Sequence, residues 1–210
     1  MNVNSLFLFD YKYRKSHKII LGIDEVGRGC CAGPLVVVGV ILKDNFFSSE
    51  IKDSKKIKNI KKREELSNLI IRNSISCRIK IFSASEVDIL NPKQASIIGM
   101  KSIAKILYNK CDIIFTDYEK LDFDKNVNIT KGDSISYSIA CASIVAKSFR
   151  DRIIERINKK YPDYNFISNQ GYFTKKHKKI LLSNGPIKKI HRFSYKSISI
   201  FLKNNNGHNK

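Results

Sequence analysis

The stretch GIDEVGRGCCAG, residues 22–33, sets two adjacent carboxylates, Asp24 and Glu25, at the end of an apolar run and follows them with a glycine-rich turn around Arg28. Around it the chain carries 39 Lys and Arg against 19 Asp and Glu, a formal net charge of +20. Acids are scarce here, so a neighbouring pair at an element end raises the question of which others join it. HKIILGID, residues 17–24, reads as a strand, and LVVVGVIL, residues 35–42, as a second, fully buried one after the turn at Gly33-Pro34. Five of the ten glycines (Gly22, Gly27, Gly29, Gly33, Gly39) fall between 22 and 39, in a chain whose wealth of Lys, Ile and Asn suits an AT-rich genome. That bias disfavours glycine codons, so the cluster marks a place that needs backbone freedom.

Working outward, IKDSKKIKNIKKREEL begins as a basic loop and becomes a helix near Lys61, with Leu66, Leu69 and Ile70 on one face. SCRIKIFSA alternates as a half-buried strand. A short helical turn follows in SASEVDILNP, closed before Pro92, and then a helix from about Lys93 to Tyr108. CDIIFTD is another apolar run ending in an acid, Asp117, and NVNITKGD is a short strand delivering a further one, Asp133. Ser134 is placed to cap a helix from about Ile135 to Lys159, with Ile139, Ala142, Ala146, Phe149 and Ile153 along one side. After Pro162 the chain is expected to be irregular through NQGYFTKKH, with one more helix near Lys178 to Ser183. Residues 1–17 read as an N-terminal extension, 18–200 as one domain whose C-terminal helical part starts near 162, and 201–210 as a frayed polar tail. Strands alternating with helices after an initial hairpin indicate an α/β fold with a mixed sheet.

The longest apolar run, Leu35 to Leu42, is strand-sized, far from the ~20 residues a membrane-crossing helix needs. The opening LFLF has no small-residue cleavage site after it and makes a poor signal peptide. Cys30, Cys31, Cys77, Cys111 and Cys141 are odd in number and lack the C-x-x-C spacing, against both a disulfide framework and a zinc site. They suit packing in a reducing cytoplasm. The basic excess points to a polyanionic partner, most simply nucleic acid, although codon bias alone also enriches lysine.

Three extended stretches thus end in carboxylates: Asp24-Glu25, Asp117 and Asp133. Neighbouring strand ends in a sheet lie about 5 Å apart, close enough for such side chains to converge. Gathered carboxylates repel and raise one another's pKa unless a cation neutralises them, and hard oxygen ligands favour Mg²⁺ or Mn²⁺, ions that activate water for attack on a phosphodiester. Spacing alone equally allows four solvated turn acids. The order G-R-G-C-C-A-G fits neither G-x-G-x-x-G nor the P-loop, and two carboxylates before it would repel a pyrophosphate.

From Ile19 to Tyr195 the sequence resembles the ribonuclease HII family, the type 2 ribonucleases H. Asp24-Glu25-Val26-Gly27-Arg28-Gly29 matches the family's D-E-x-G-R-G, Ala32-Gly33-Pro34 its A-G-P, and Asp53-Ser54-Lys55-Lys56 its D-S-K-K. Asp117 falls where the third acid ends a strand, and Lys131 to Ser134 supplies K-G-D-S with the fourth. ACASIVAKSFRD matches the family's helix, GYFTKKH its G-Y-x-T-x-x-H, and IHRFSY its late basic-aromatic stretch. Cys30-Cys31 stand where Pro-Leu is common, Asn169-Gln170 where His-Lys often precedes the Gly-Tyr, and Phe173 where Gly is frequent.

The resemblance implies a ribonuclease H-like fold, a mixed five-stranded sheet flanked by helices with a small C-terminal helical extension. It implies a monomeric, cytoplasmic, metal-dependent endonuclease that hydrolyses the RNA strand of RNA–DNA hybrids. It also implies incision 5′ of ribonucleotides embedded in duplex DNA, giving 3′-hydroxyl and 5′-phosphate ends, as ribonucleotide excision linked to DNA replication requires. Asp24, Glu25, Asp117 and Asp133 would be catalytic and hold Mn²⁺ or Mg²⁺, while Gly27, Arg28, Gly29, Lys55, Lys56, Lys147 and Tyr172 would bind substrate. His177 and His191 are given structural or phosphate-adjacent places and no proton-transfer role. A type 3 ribonuclease H is the nearest alternative enzyme, which the immediate Gly-Arg-Gly disfavours. A non-catalytic RNA-binding protein is the alternative of another class, and it has no use for the four acids.

Overall fold

The computed structural model describes residues 5–44, 46–52, 57 and 59–205, with the side chains of 202–205 excepted. The chain forms two compact units. The first comprises Met1–Val26, Val36–Lys80 and Ser96–Phe149; the second comprises Gly27–Leu35, Ile81–Ala95 and Arg150–Lys210. The C-terminal part expected from about 162 is therefore joined by two earlier segments, one of which holds the glycine-rich turn.

The first unit is built on a five-stranded sheet of order β3-β2-β1-β4-β5, with β1 at Ile20–Val26, β2 at Leu35–Leu42, β3 at Ser74–Phe82, β4 at Ile113–Asp117 and β5 at Asn126–Ile129. β1 is antiparallel to β2 but parallel to β4, and β4 is parallel to β5, so the sheet is mixed as expected. β2 is buried along its whole length, which its unbroken apolar run requires.

Helices lie on both faces. Gly22 pairs with Val40 and Ile23 with Gly39, so the two glycines open opposite faces of the sheet. A Cβ on Gly22 would sit 2.3 Å from the carbonyl carbon of Ser138 in α5, Tyr137–Lys160, and one on Gly39 would sit 2.5 Å from Ile103 in α4, Pro92–Leu107. At Gly22 the obstacle is backbone, which cannot yield by changing rotamer. Gly22→Ala should therefore destabilise the fold by at least ~2–3 kcal/mol, read as a lowered denaturation midpoint at unchanged m-value.

The remaining helices are α1 at Ser5–Arg14, α2 at Ile60–Arg72, α3 at Ala84–Leu90, α6 at Phe166–Asn169, α7 at Lys175–Asn184 and α8 at Lys196–Asn205. α1 was not foreseen in the N-terminal extension. Its Phe9 and Tyr13 pack on a cluster of Ile20, Ile113, Phe115, Ile129 and Ile139. Its buried Asp10 accepts hydrogen bonds from the hydroxyls of Ser136 and Ser138 and from the Ser138 backbone N–H, at 2.6–2.8 Å. That clasp fixes the start of α5 two residues later than Ser134 would begin it. Ser136, whose hydroxyl accepts from Ile139 N, is the capping serine, while Ser134 ends a 3₁₀ turn at Gly132–Ser134.

Three further details differ from the expected elements. Near the end of α5, Ile154 is buried and Ile153 is only half-buried. α7 starts at Lys175, earlier than expected, because Thr174 caps it by accepting from His177 N. The chain expected to fray from 201 is helical as far as Asn205. Among the described residues no helix is long and apolar enough to cross a membrane.

Candidate active site

In the first unit, β1 and β4 run side by side with Ile23 opposite Thr116, so Asp24 and Asp117 occupy the next step of the parallel register. Asp24 lies two residues beyond Gly22 on the face covered by α5. It is buried, and its Oδ1 accepts from Glu25 N at 2.7 Å. Burial, then the charges of Glu25 and Asp117, push its carboxyl well above the usual carboxylate range, against a hydrogen bond from Ser143 and the charge of Lys147. Lys147 and Ser143 are one helical turn apart on α5, and Lys147 Nζ donates to Ser143 Oγ at 3.2 Å. A chain of donors thus runs from Lys147 through Ser143 to Asp24.

Asp133 does not sit on the strand expected to deliver it. β5 ends at Ile129, and Asp133 lies buried in the 3₁₀ turn that follows. Lys131 adopts a left-handed backbone, and Gly132 then passes so close to β4 that its added Cβ would lie 3.4 Å from the Asp117 Cα and 2.6 Å from Ile139. Asp117 Oδ1 accepts from Gly132 N at 2.7 Å, tying the turn that carries Asp133 to the end of β4. Among the described residues no three His, Cys, Asp or Glu side chains already enclose a cation. The charges of Glu25 and Asp117 both act on the buried Asp24 carboxyl. An all-carboxylate donor set with one member held at raised pKa fits a hard divalent cation, which would relieve that repulsion.

The second unit holds the glycine-rich turn and Tyr172. Gly27 has φ of +93°, and a Cβ there would meet Arg150 Nε and the Pro34 carbonyl at 2.6 Å. Fully buried Arg192 donates to the carbonyls of Gly33 (2.9 and 3.1 Å) and Gly27 (2.7 Å), and Tyr195 Oη donates to the Arg28 carbonyl at 2.5 Å. Arg150 donates to the carbonyls of Pro34, Ala32 and Gln170. Two interior guanidiniums therefore satisfy a turn that secondary structure cannot. Burial lowers the pKa of Arg150, and the charge of Arg192 adds to that lowering.

Gly29 stays exposed, and the position of its absent Cβ is 4.0 Å from the Tyr172 ring, itself 49% exposed. The structure thus brings the turn and Tyr172 together within one unit, and Asp24, Glu25 and Asp117 together within the other, with Asp133 on the turn tied to Asp117. Lys55 and Lys56 lie outside the described residues.

The departures from the family pattern have structural explanations. Cys30 and Cys31 are buried, and Cys31 Sγ donates to the Gly171 carbonyl. Asn169 Oδ1 accepts from Gly171 N, and Asn169 Nδ2 donates to the Tyr164 carbonyl. Phe173 packs edge-on against Phe201 of α8, with ring centroids 6.4 Å apart.

A family model described as Ribonuclease HII matches residues 21–198. The chain belongs to the ribonuclease HII family. Ribonuclease HII from Mycoplasma capricolum subsp. capricolum is 45% identical over 195 residues, covering 90% of this chain and 93% of that one. Among solved structures, the ribonuclease H2 from Pyrococcus horikoshii OT3 aligns with a TM-score of 0.71 at 20% identity, covering 90% of this chain and 99% of that one. Bst-RNase HIII in complex with Mn²⁺ aligns with 0.68 at 14%, covering 90% and 71%. At those identities the two structures speak for the fold alone. The protein is a type 2 ribonuclease H, a hydrolase of the ribonuclease H class of endonucleases.

Ser143, Arg150 and Arg192 were not foreseen as parts of these sites. Ser143 had a signal in the sequence, standing four residues before Lys147 in the matched helix.

Proposed function

We propose that this ribonuclease HII incises duplex DNA on the 5′ side of a single embedded ribonucleotide, leaving 3′-hydroxyl and 5′-phosphate ends, besides cutting the RNA strand of continuous RNA–DNA hybrids. Asp24, Glu25, Asp117 and Asp133 would hold the Mg²⁺ or Mn²⁺ ions. A cation held there would supply the Lewis acidity to activate water and stabilise the departing 3′ oxygen. Lys147, acting through Ser143, favours the ionised form of Asp24 that a cation needs. Lys147 also offers a positive charge to phosphate, as Lys55 and Lys56 would on the strength of their motif alone.

The observation that carries the proposal is the Tyr172 ring set against the edge of Gly29. Arg192 and Tyr195 already occupy the Gly27 and Arg28 carbonyls, which stiffens the turn, and exposed Gly29 leaves its backbone open to approach. A bare backbone admits a 2′-hydroxyl, the group that separates RNA from DNA. Arg28 adds a contact to the adjoining phosphate. The Tyr172 ring stacks on the next sugar, where a second 2′-hydroxyl would clash, so the pair reads an RNA-to-DNA junction. A cytoplasmic setting accords with five free thiols, Cys31 among them pushed up to about 12 by burial and so unreactive.

The test digests a duplex with one ribonucleotide and a continuous hybrid side by side. Tyr172→Ala should lose most cleavage of the first, by about tenfold or more as the loss of one stacking contact implies, and lose less on the second. Equal loss on both, or a wild type that ignores the single ribonucleotide, contradicts the junction role.

A further inference from the structure

We propose that His177 and His191 are positioning residues for Tyr172, two imidazoles in opposite tautomers that pass a single direction of hydrogen bonding to its backbone carbonyl. The proposal rests on the junction-reading role of Tyr172 given above. Both histidines are fully buried in the second unit, where Phe166 and Tyr164 surround them with aromatic edges and faces. Their ring nitrogens Nε2 lie 3.1 Å apart. At one end, the backbone N–H of Ile187 donates to His191 Nδ1 at 2.8 Å. At the other, His177 Nδ1 lies 2.9 Å from the Tyr172 carbonyl oxygen.

These ends fix the protons. A backbone N–H only donates, so His191 Nδ1 accepts and the ring carries its proton on Nε2. That proton points at His177 Nε2, which must therefore accept. The His177 proton is left on Nδ1, facing a carbonyl that can only accept. Both ends force the same assignment independently. A second proton on either ring would set donor against donor, and burial pulls in the same direction: it lowers both pKa values, that of His191 to about 4 with help from His177.

The chain ends at the atom that matters for the ring's placement. The Tyr172 carbonyl also accepts from Thr174 N at 2.9 Å, and Tyr172 N donates to the Asn169 carbonyl at 2.8 Å. Gly171 before it, at φ of +77°, is held through its N–H by Asn169 and through its carbonyl by Ala32 N at 3.1 Å. The backbone of Tyr172 is thus fixed on every side while its ring stays half exposed beside Gly29. Removing the donor at His177 loosens the carbonyl and lets the ring leave Gly29.

Two measurements test this. Long-range ¹H–¹⁵N spectra of the imidazoles in the wild-type protein should show His177 protonated at Nδ1 and His191 at Nε2. A His177 protonated at Nε2, or a doubly protonated ring at neutral pH, overturns the proposal. His177→Leu keeps the volume and removes the donor, whereas His177→Asn keeps an N–H where Nδ1 stood. The Leu variant should lower cleavage at a single ribonucleotide about tenfold more than cleavage of continuous hybrid, the worth of one lost hydrogen bond. The Asn variant should restore the wild-type ratio to within about twofold, a rescue that a purely packing role does not produce.

If Tyr172→Ala discriminates between the substrates and His177→Leu depresses both equally, the positioning role is wrong and the junction role stands. If Tyr172→Ala itself depresses both equally, the two fall together. Should the Leu variant fail to fold, the wild-type spectrum and the ratio in the Asn variant decide alone.

Discussion

Asp24→Asn and Asp117→Asn will each lower cleavage on the order of a thousandfold, while Asp24→Asn raises the melting temperature in chelating buffer. The first figure follows from the ~4 kcal/mol of charge stabilisation that a catalytic cation supplies, at about 1.4 kcal/mol per factor of ten. The second follows from what holds Asp24 without that cation. Burial, Glu25 and Asp117 raise its carboxyl pKa well above the usual range. A carboxyl raised in the folded state contributes stability below its unfolded pKa and loses it as pH rises through the folded one, so the fold carries a growing cost as pH rises above the unfolded pKa. Asparagine removes that cost, keeps an oxygen to accept from Glu25 N and Ser143, and should gain about 2–4 °C for each kcal/mol relieved. Adding Mn²⁺ reverses the order, because only the wild type gains the stabilisation that comes from binding. Thermal melts of both proteins with and without Mn²⁺, beside cleavage assays, check this. Full activity in either variant, or wild-type cleavage in excess chelator, removes the four acids from the chemistry.

The parts of this architecture that depend on short stretches of chain are visible in the sequence. β1, β2 and β4 are built on apolar runs, and the acids that follow those of β1 and β4 stand out because the rest of the chain is so basic. What stays hidden depends on partners far away in sequence. α1 reads only as an N-terminal extension because its polar anchor, Asp10, finds its hydroxyl and backbone partners 126 and 128 positions on. The same clasp decides between Ser134 and Ser136 as the cap of α5, two serines that composition cannot tell apart. Arg150 and Arg192 are hidden for a different reason. In a chain with 39 Lys and Arg, spacing does not show which two cations turn inward to satisfy carbonyls. The clue lay in the turn itself: residues 27–34 follow no ladder, so their carbonyls need donors from elsewhere. The histidines, each set apart by its motif, carry their meaning only in the pairing of their Nε2 atoms.

Binding of a hybrid duplex should weaken by roughly three orders of magnitude between 50 and 200 mM salt, as neutralising six or more phosphates requires. The formal charge of +20 permits that many contacts but does not place them. α7 offers a location. It begins two residues after Phe173, has no acid in its first turn, and presents Lys175, Lys176, Lys178 and Lys179 to solvent on either side of buried His177. Its N-terminal dipole would add to the attraction for a phosphate on the strand that Tyr172 is proposed to contact. Replacing Lys175 and Lys176 together with alanine should flatten the slope of log K against log salt by about one for each phosphate released. Alanine is a good helix former, and both side chains are exposed, so the melting temperature should hold. Fluorescence anisotropy on an Asp24→Asn background measures binding without cleavage, and the salt series separates the two sources of lysine excess. A steep slope that the double substitution flattens puts α7 on the duplex backbone. A slope near zero in the parent means that most of these lysines face only water, and that codon bias rather than substrate accounts for the charge.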